Sequence, residues 1–280
     1  MKLFRFGEVG KEKPGVLIDG KLFDASAFGE DYGESFFESD GLARLETWLS
    51  KNKINLPLLK EGTRFGSCFQ RPSKIICVGL NYTHHAFETN MPMPKEPIFF
   101  FKSTTALTGP NDGLIIPRHS KKSDYEIEMA VIVGKKALYV EEKDAMDYVA
   151  GFCLHNDYSE REFQLERNGQ WTKGKGCDSF APMGPYMVTK DEIKDFNNLK
   201  MWLKVNGELR QNNNTDDMIF EVPFLISYIS QFMTLLPGDV ISTGTPSGVG
   251  HGFKPPIYLK PGDVIELGIE ELGEQRQVAS

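Results

Sequence analysis

Apolar residues along this chain keep two different rhythms, and the change falls near residue 70. In the first part, GVLIDGKLFDAS sets two short apolar runs on either side of Asp19-Gly20, the signature of a tight hairpin turn. GLARLETWLSKN then repeats apolar residues at helical spacing. From Arg71 onward the runs are short and strand-like: KIICVGL, PIFFFK, EIEMAVIVG, YVAGFCLH, KMWLKVNG and DVISTG, punctuated by Gly, Pro and Asn. Helical patterns are few there: after Asn81, in DAMDYV, after Ser159, and in IFEVPFLISYISQFM. PGDV occurs twice, at Pro237 and Pro261, each time as a turn feeding a strand. The pattern predicts a mixed α/β, mostly β protein, with a small N-terminal α+β unit (1–70) that supports or caps a larger unit (71–280).

The stretch DYEIEMAVIVGKK, residues 124–136, interrupts a strand pattern with two acids. Side chains alternate along a strand, so Glu126 and Glu128 share a face with Ala130 and Ile132. A solvated edge accounts for an isolated pair of this kind. Here the strand continues as AVIVG, apolar on both faces, which implies buried surroundings where like charges need a cation. A hard divalent ion with oxygen ligands fits that requirement. The apolar run of YVAGFCLHNDYSEREFQ ends at Asn156-Asp157, placing Asp157 at the carboxyl end of a strand as a third candidate ligand, or as a plain turn residue. Ser159 and Glu162 have capping-box spacing, and the helix they would open carries Arg161 and Gln164 on one face, within reach of a ligand near Asp157. His155 reads as structural.

In VGLNYTHHAFETN a helix starting at Asn81 or Thr83 puts His85 and Glu88 on one face. A glutamate on one ring nitrogen fixes the tautomer and raises the basicity, as a general base for water requires; a solvated helix pair is the alternative. His84 faces elsewhere. Lys173 and Lys175 of QWTKGKGCDSF lie in a glycine-punctuated loop, facing an anionic ligand or solvent. DVISTGTPSGVGHG is glycine-rich but lacks the GK[ST] of a phosphate loop and any GxGxxG. MPMPKEP, residues 91–97, reads as part of a lid or as a stiff connector.

Composition narrows the partners. With 40% hydrophobic and 25% charged residues the 280-residue chain is an ordinary soluble globule, and its net charge of -7 argues against nucleic acid or an anionic membrane as the main partner. A small anionic substrate remains, given local positive charge. No apolar run has the length of a signal segment or a membrane span, so the expected location is the cytoplasm. The four cysteines form no CxxC pair; Cys77 and Cys153 sit in apolar runs as core thiols, while Cys177 lies beside Lys175, which could lower its pKa, but has no companion histidine in sequence to make it a nucleophile.

GLNYTHHAFE, FFFKSTTALTGP, DYEIEMAVIVGKK, NDYSEREFQ, QWTKGKGCDSFAPMGP, LKVNGELRQ and STGTPSGVG, in this order, resemble the fumarylacetoacetate hydrolase family over about residues 72–275. The first 70 residues are similar to the accessory domain of its longer bacterial members. The resemblance implies a mixed β-roll, a homodimer, and Mg²⁺ or Mn²⁺ held by Glu126, Glu128 and Asp157. It also implies a catalytic His85–Glu88 pair with Lys175 and Gln164, and substrate-carboxylate contacts from Arg161 and Thr245. The implied activity is hydrolysis of a carbon–carbon bond in a 2,4-diketo acid, either an acylpyruvate or a 2,4-diketo-3-deoxy sugar acid. The alternative is a lyase reaction on the same site, oxaloacetate decarboxylation or ureidoglycolate cleavage. A metal-binding scaffold without catalysis is the third possibility.

Overall fold

A computed structural model describes residues 1–88 and 92–280. Its N-terminal part follows the predicted pattern. Strands β1 (Lys2–Phe6), β2 (Lys13–Ile18) and β3 (Lys21–Asp24) form antiparallel pairs, and Asp19 and Gly20 both take positive φ in the two-residue turn that joins β2 to β3. Helices α1 (Glu34–Glu38) and α2 (Gly41–Asn52) follow, and α2 buries Leu45 and Leu49, one turn apart.

The larger part begins with β4 (Ile75–Gly79), helix α3 (Thr83–Glu88) and β5 (Ile98–Lys102). Of MPMPKEP, Met91 lies outside the described residues, and the rest is irregular chain leading into β5. Next come β6 (Leu107–Thr108), β7 (Ser123–Asp124), β8 (Ile127–Val133), β9 (Val149–Asn156) and β10 (Ser159–Glu160). A single-turn π-helix (Glu162–Glu166), α4 (Thr172–Lys175), β11 (Ala181–Pro182) and β12 (Met187–Thr189) complete the middle. The chain closes with β13 (Lys200–Val205), β14 (Glu208–Asn214), α5 (Val222–Ser230), β15 (Val240–Ser242), β16 (Val264–Ile269) and β17 (Gly273–Val278).

Nine strands make one mixed sheet in the order β3-β2-β1-β12-β9-β8-β15-β4-β5, with β15 and β4 parallel and its other pairs antiparallel. A four-stranded antiparallel sheet, β14-β13-β16-β17, accompanies it. The fold is thus mixed α/β and mostly β. Residues 1–70 extend the main sheet, since β1 pairs with β12 through Lys2–Val188 and Leu3–Met187. Every residue of β8 and β9 is buried, which is why both are apolar apart from Glu128, His155 and Asn156. No helix among the described residues is long and apolar enough to cross a membrane.

Two local predictions fail. Ser159 does not cap a helix: it pairs with Asp124 across β10 and β7, and its hydroxyl donates to the Asp157 carbonyl (3.1 Å). Long-range pairing outweighs the local cap, and the chain enters a π-turn whose Glu162 N–H donates to the Glu160 carboxylate (3.2 Å). Lys175 likewise does not sit in a flexible loop. It ends the helical turn α4 and is 2% exposed, whereas Lys173 is exposed and donates to the Arg167 carbonyl.

Candidate active site

The ends of β4 and β8 converge with β5, α3, the π-turn, α4 and the loop after β15 around a cavity of about 220 Å³. Glu126 and Glu128 line it from one face of the β8 segment, as alternation requires. Asp157, immediately after β9, lies behind them and is fully buried. One oxygen from each of the three carboxylates lies within 4.8 Å of the other two. The register is fixed by Asp157 N–H donating to the Glu126 carbonyl (2.8 Å) and Glu126 N–H donating to the Asn156 side chain (3.0 Å).

Three cations thread these acids. Lys175 Nζ donates to Glu126 Oε2 (2.5 Å) and Asp157 Oδ2 (2.8 Å). Arg161 donates from Nε to Asp124 Oδ2 (2.8 Å), from Nη2 to Glu126 Oε1 (2.7 Å) and from Nη1 to Gln164 Oε1 (3.0 Å). Lys102 donates to Asp157 Oδ1 and to the Tyr158 carbonyl. Burial alone would raise the acids, but Lys175 and Arg161 hold Glu126 below the usual range, and Lys102 and Lys175 do the same for Asp157. Lys175 is pushed the opposite way by burial, and Asp157 and Glu126 overcome that to raise it. Among the described residues, Glu128 forms an ion pair with none of these cations. It accepts from Ser242 Oγ (2.5 Å) and Gly244 N–H (3.2 Å), yet burial and repulsion from Asp157 and Glu126 lift its pKa well above normal.

A buried all-oxygen triad in which one carboxyl is forced up by its neighbours is short of positive charge. It therefore fits a hard divalent cation such as Mg²⁺ or Mn²⁺. His155 adds no ligand in the described arrangement. Ser242 gives its proton to Glu128, so His155 Nδ1 donates to Ser242 Oγ (2.7 Å); burial pushes the imidazole pKa down to about 3, and Nε2 has no partner.

On the facing side, α3 carries His85 and Glu88 as the spacing predicts, with Nδ1 of His85 3.1 Å from Glu88 Oε2. Gly248 N–H holds the other oxygen of Glu88 (2.9 Å), and a Cβ on Gly252 would stand 2.4 Å from the Glu88 carboxyl carbon. His84 turns away to Asp217 (2.9 Å). Thr245 lines the cavity, but its hydroxyl donates to the Ile127 carbonyl (2.8 Å) and accepts from Gln211 (2.9 Å). Cys177 contradicts its expectation: burial raises its pKa, because the Lys175 amine is turned to the carboxylates instead.

Sequence reasoning passed over Lys102 and Asp124, and weighed the loop after β15 only for nucleotide binding and for Thr245. Lys102 was signalled only as the lone charge ending PIFFFK, and Asp124 as the first acid of DYEIE. Asp124 accepts from Gly250 N–H (2.7 Å), His251 N–H (2.9 Å) and Arg161, so this glycine-rich loop does hold anions, namely the protein's own carboxylates.

The sequence model of the fumarylacetoacetate (FAA) hydrolase C-terminal family matches residues 74–279. The chain belongs to the fumarylacetoacetate hydrolase family. A Burkholderia multivorans relative, whose name offers hydrolase as an assignment and gives no substrate, is 51% identical over 99% of this chain and 98% of its own length. Among solved structures, the fumarylacetoacetate hydrolase of Exiguobacterium antarcticum has a TM-score of 0.86 and 33% identity, covering 100% of this chain and 99% of that one. Maleylpyruvate hydrolase of Sphingobium sp. SYK-6, in complex with manganese(II) and pyruvate, has a TM-score of 0.83 and 29% identity, covering 100% and 98%. As a member of the fumarylacetoacetate hydrolase family the chain has the fold of enzymes, and the cavity lies within the matched segment.

Proposed function

We propose that this protein is a divalent-metal-dependent hydrolase of 2,4-diketo acids, releasing pyruvate and a carboxylic acid. One observation carries the reading: the His85–Glu88 pair opens on the same cavity as Glu126, Glu128 and Lys175. Glu126, Glu128 and Asp157 would hold Mg²⁺ or Mn²⁺, which supplies positive charge opposite the carboxylate and 2-oxo oxygens of the keto acid. Arg161 and Thr245 flank the carboxylate end of the substrate; Thr245 contributes once its hydroxyl turns from Ile127.

His85, oriented by Glu88, takes a proton from water, and the hydroxide adds to the 4-carbonyl. The C3–C4 bond breaks, its electron pair passes to C3 as the enolate of pyruvate, and the acyl fragment leaves as a carboxylic acid. Lys175 and Gln164 stabilise the enolate oxygen, and a proton returned to C3 completes pyruvate. Atoms balance as one diketo acid plus one water giving one acid and one pyruvate. Oxaloacetate decarboxylation would use the same enolate-stabilising groups without water. The His85–Glu88 pair favours hydrolysis over it, and over ureidoglycolate cleavage.

The test has two arms. Chelated protein, and the Glu126→Gln/Glu128→Gln double variant, should lose activity and metal uptake by calorimetry while keeping their circular dichroism; full activity in EDTA would sink the metal assignment. His85→Ala should lower diketo-acid cleavage about a hundredfold, the scale of a general base, and oxaloacetate decarboxylation much less. Equal losses would give His85 a role other than activating water.

We further propose a homodimer. Exposed Ile98 and Phe101 on the edge strand β5, with Phe232 beside Phe99, offer it an apolar surface. A monomer mass by light scattering would overturn it. Residues 1–70, outside the matched segment, are proposed as an accessory unit that braces the main sheet.

A further inference from the structure

The cavity has two unlike halves. Its polar half is one hydrogen-bonded cluster, Glu126, Arg161, Gln164 and Lys175 with Glu128 beside them. The other half is apolar. The Lys175 ammonium lies 5.2 Å from the Phe100 ring centroid and marks the border; Phe100 meets Trp171 edge-on at 5.3 Å. Trp171 packs so closely on Gly79 that a Cβ there would stand 2.7 Å from the indole, and Leu80, Leu165 and Val249 complete the wall.

We infer that the site selects 2,4-diketo acids whose distal acyl group is uncharged and apolar, with Phe100, Trp171, Leu80 and Leu165 forming the acyl pocket. The inference rests on the hydrolase reading for the position of the ligand's carboxylate. Two observations support it. The first is charge count. The cluster formed by the ion-paired acids and Glu128 holds four carboxylates, Asp124, Glu126, Glu128 and Asp157, against three cations, Lys102, Arg161 and Lys175, while Glu160, equally buried, is held by the Ser120 and Ser123 hydroxyls and the Lys122 and Glu162 N–H groups. A divalent ion turns that deficit of one positive charge into an excess of one, which the single carboxylate of a monoanionic ligand cancels. A second carboxylate would lie against the apolar wall without a charged partner, an unfavourable arrangement.

The second is the absence of a receptor for that carboxylate. Among the described residues lining the cavity, the permanent cations are Arg161 and Lys175; both are paired with acids, and the proposed reaction uses them at the 2-oxo acid end of the ligand, away from its acyl group. His251 lines the cavity with its Nδ1 on the Tyr258 hydroxyl (2.8 Å), and burial together with Arg161 lowers its pKa, so it stays neutral near pH 7. Residues 89–91 are Thr, Asn and Met and carry no positive charge. A hydroxyl-rich sugar-acid chain meets the same apolar wall without partners.

The decisive pair is 2,4-dioxoheptanoate and 2,4-dioxoheptanedioate, which differ only in a terminal methyl or carboxylate. On the Mn²⁺-loaded enzyme kcat/KM should favour the monoacid by roughly a hundredfold, the reach of a pocket that discriminates by apolar contact against an unpaired charge. Binding is read separately with the uncleavable 2-oxoheptanoate and 2-oxoheptanedioate, by quenching of tryptophan fluorescence, with Trp171→Phe identifying the signal among the three tryptophans. The monoacid should bind at least about tenfold tighter. Leu165→Lys, at a half-exposed wall position, should narrow both gaps. Equal or better use of the diacids, with both substrates cleaved, overturns the selectivity and leaves the hydrolase reading intact. Preferential monoacid binding without cleavage of either diketo acid keeps the selectivity and overturns the hydrolase reading.

Discussion

Two networks of charge hold this molecule, and they have the same composition problem. At the seam between residues 1–70 and the rest, Arg5 and Arg64 face Glu12, Asp31 and Asp112, one acid in excess. In the centre, Lys102, Arg161 and Lys175 face Asp124, Glu126, Glu128 and Asp157, again one acid in excess. The seam's side chains are 11–29% exposed. There water screens the surplus, and Glu12 is held below the usual range by backbone donors and Arg64 despite its burial. In the centre the ion-paired side chains are at most 7% exposed, and the surplus is expressed as a raised Glu128. An excess acid spread over half-buried side chains is structural stitching; one held among buried side chains at the cavity is suited to bind a cation.

The sharpest way to break this comparison is to remove a central cation. Lys102→Met should leave Asp157 with Lys175 alone and cost about 3–5 kcal/mol, the scale for stranding a buried charge. Urea unfolding in chelator measures it. A loss below about 1 kcal/mol would mean that water reaches Asp157 and that the centre is no drier than the seam.

The next effect is in the pH dependence of the metal-free protein. Glu128 is raised in the folded state, so above the ordinary carboxylate range the unfolded chain gives up this proton while the native protein keeps it. Stability from this group then falls by about 1.4 kcal/mol per pH unit until its own pKa is reached. His155, lowered to about 3 from its usual 6.5, acts in the opposite sense: its contribution falls as pH drops below 6.5. The two slopes oppose each other, so the wild-type curve alone hides both. The readable quantity is the stability of Glu128→Gln minus that of wild type at pH 5 and pH 7, which should widen in favour of the variant as pH rises. Added Mn²⁺ should reverse the order by binding only wild type tightly. Glu12→Gln at the seam should give no widening over the same interval, since its carboxyl titrates below it.

What could be read from the sequence follows the range of the interactions. The acids at positions 126 and 128 were legible because a strand's two-residue alternation is local, and His85–Glu88 because a helix turn is local. Lys102 was not, because its partner Asp157 lies 55 residues away, and the grip of Gly250 on Asp124 spans 126. No pattern in a window of a dozen residues carries such contacts. The capping-box reading of Ser159 and Glu162 failed for the same reason in reverse: a valid local signal lost to strand pairing with Asp124. In the N-terminal part the hairpin was visible and its addition to the main sheet through β12 was not.

The smallest expected effect sharpens the seam side. Arg64 donates to Asp112 from Nε (2.8 Å) and Nη2 (2.6 Å), and from Nη1 to Glu12 (3.0 Å) and the Gly7 carbonyl (2.8 Å). Four bonds on one guanidinium suggest a large loss on removal, but with 29% of the side chain exposed, water can replace the donors and the acids stay hydrated. Arg64→Ala should therefore cost about 1 kcal/mol, near the upper end for exposed pairs, and not the several kcal/mol of a buried one. Metal affinity should not change, because none of its partners touches the central cluster. Arg64→Lys should recover part of the loss by keeping the charge while giving up the two-pronged geometry. A loss of 3 kcal/mol or more, or a fall in metal affinity alongside it, would mean that the seam is dry and coupled to the centre, and water access would then no longer distinguish the two networks.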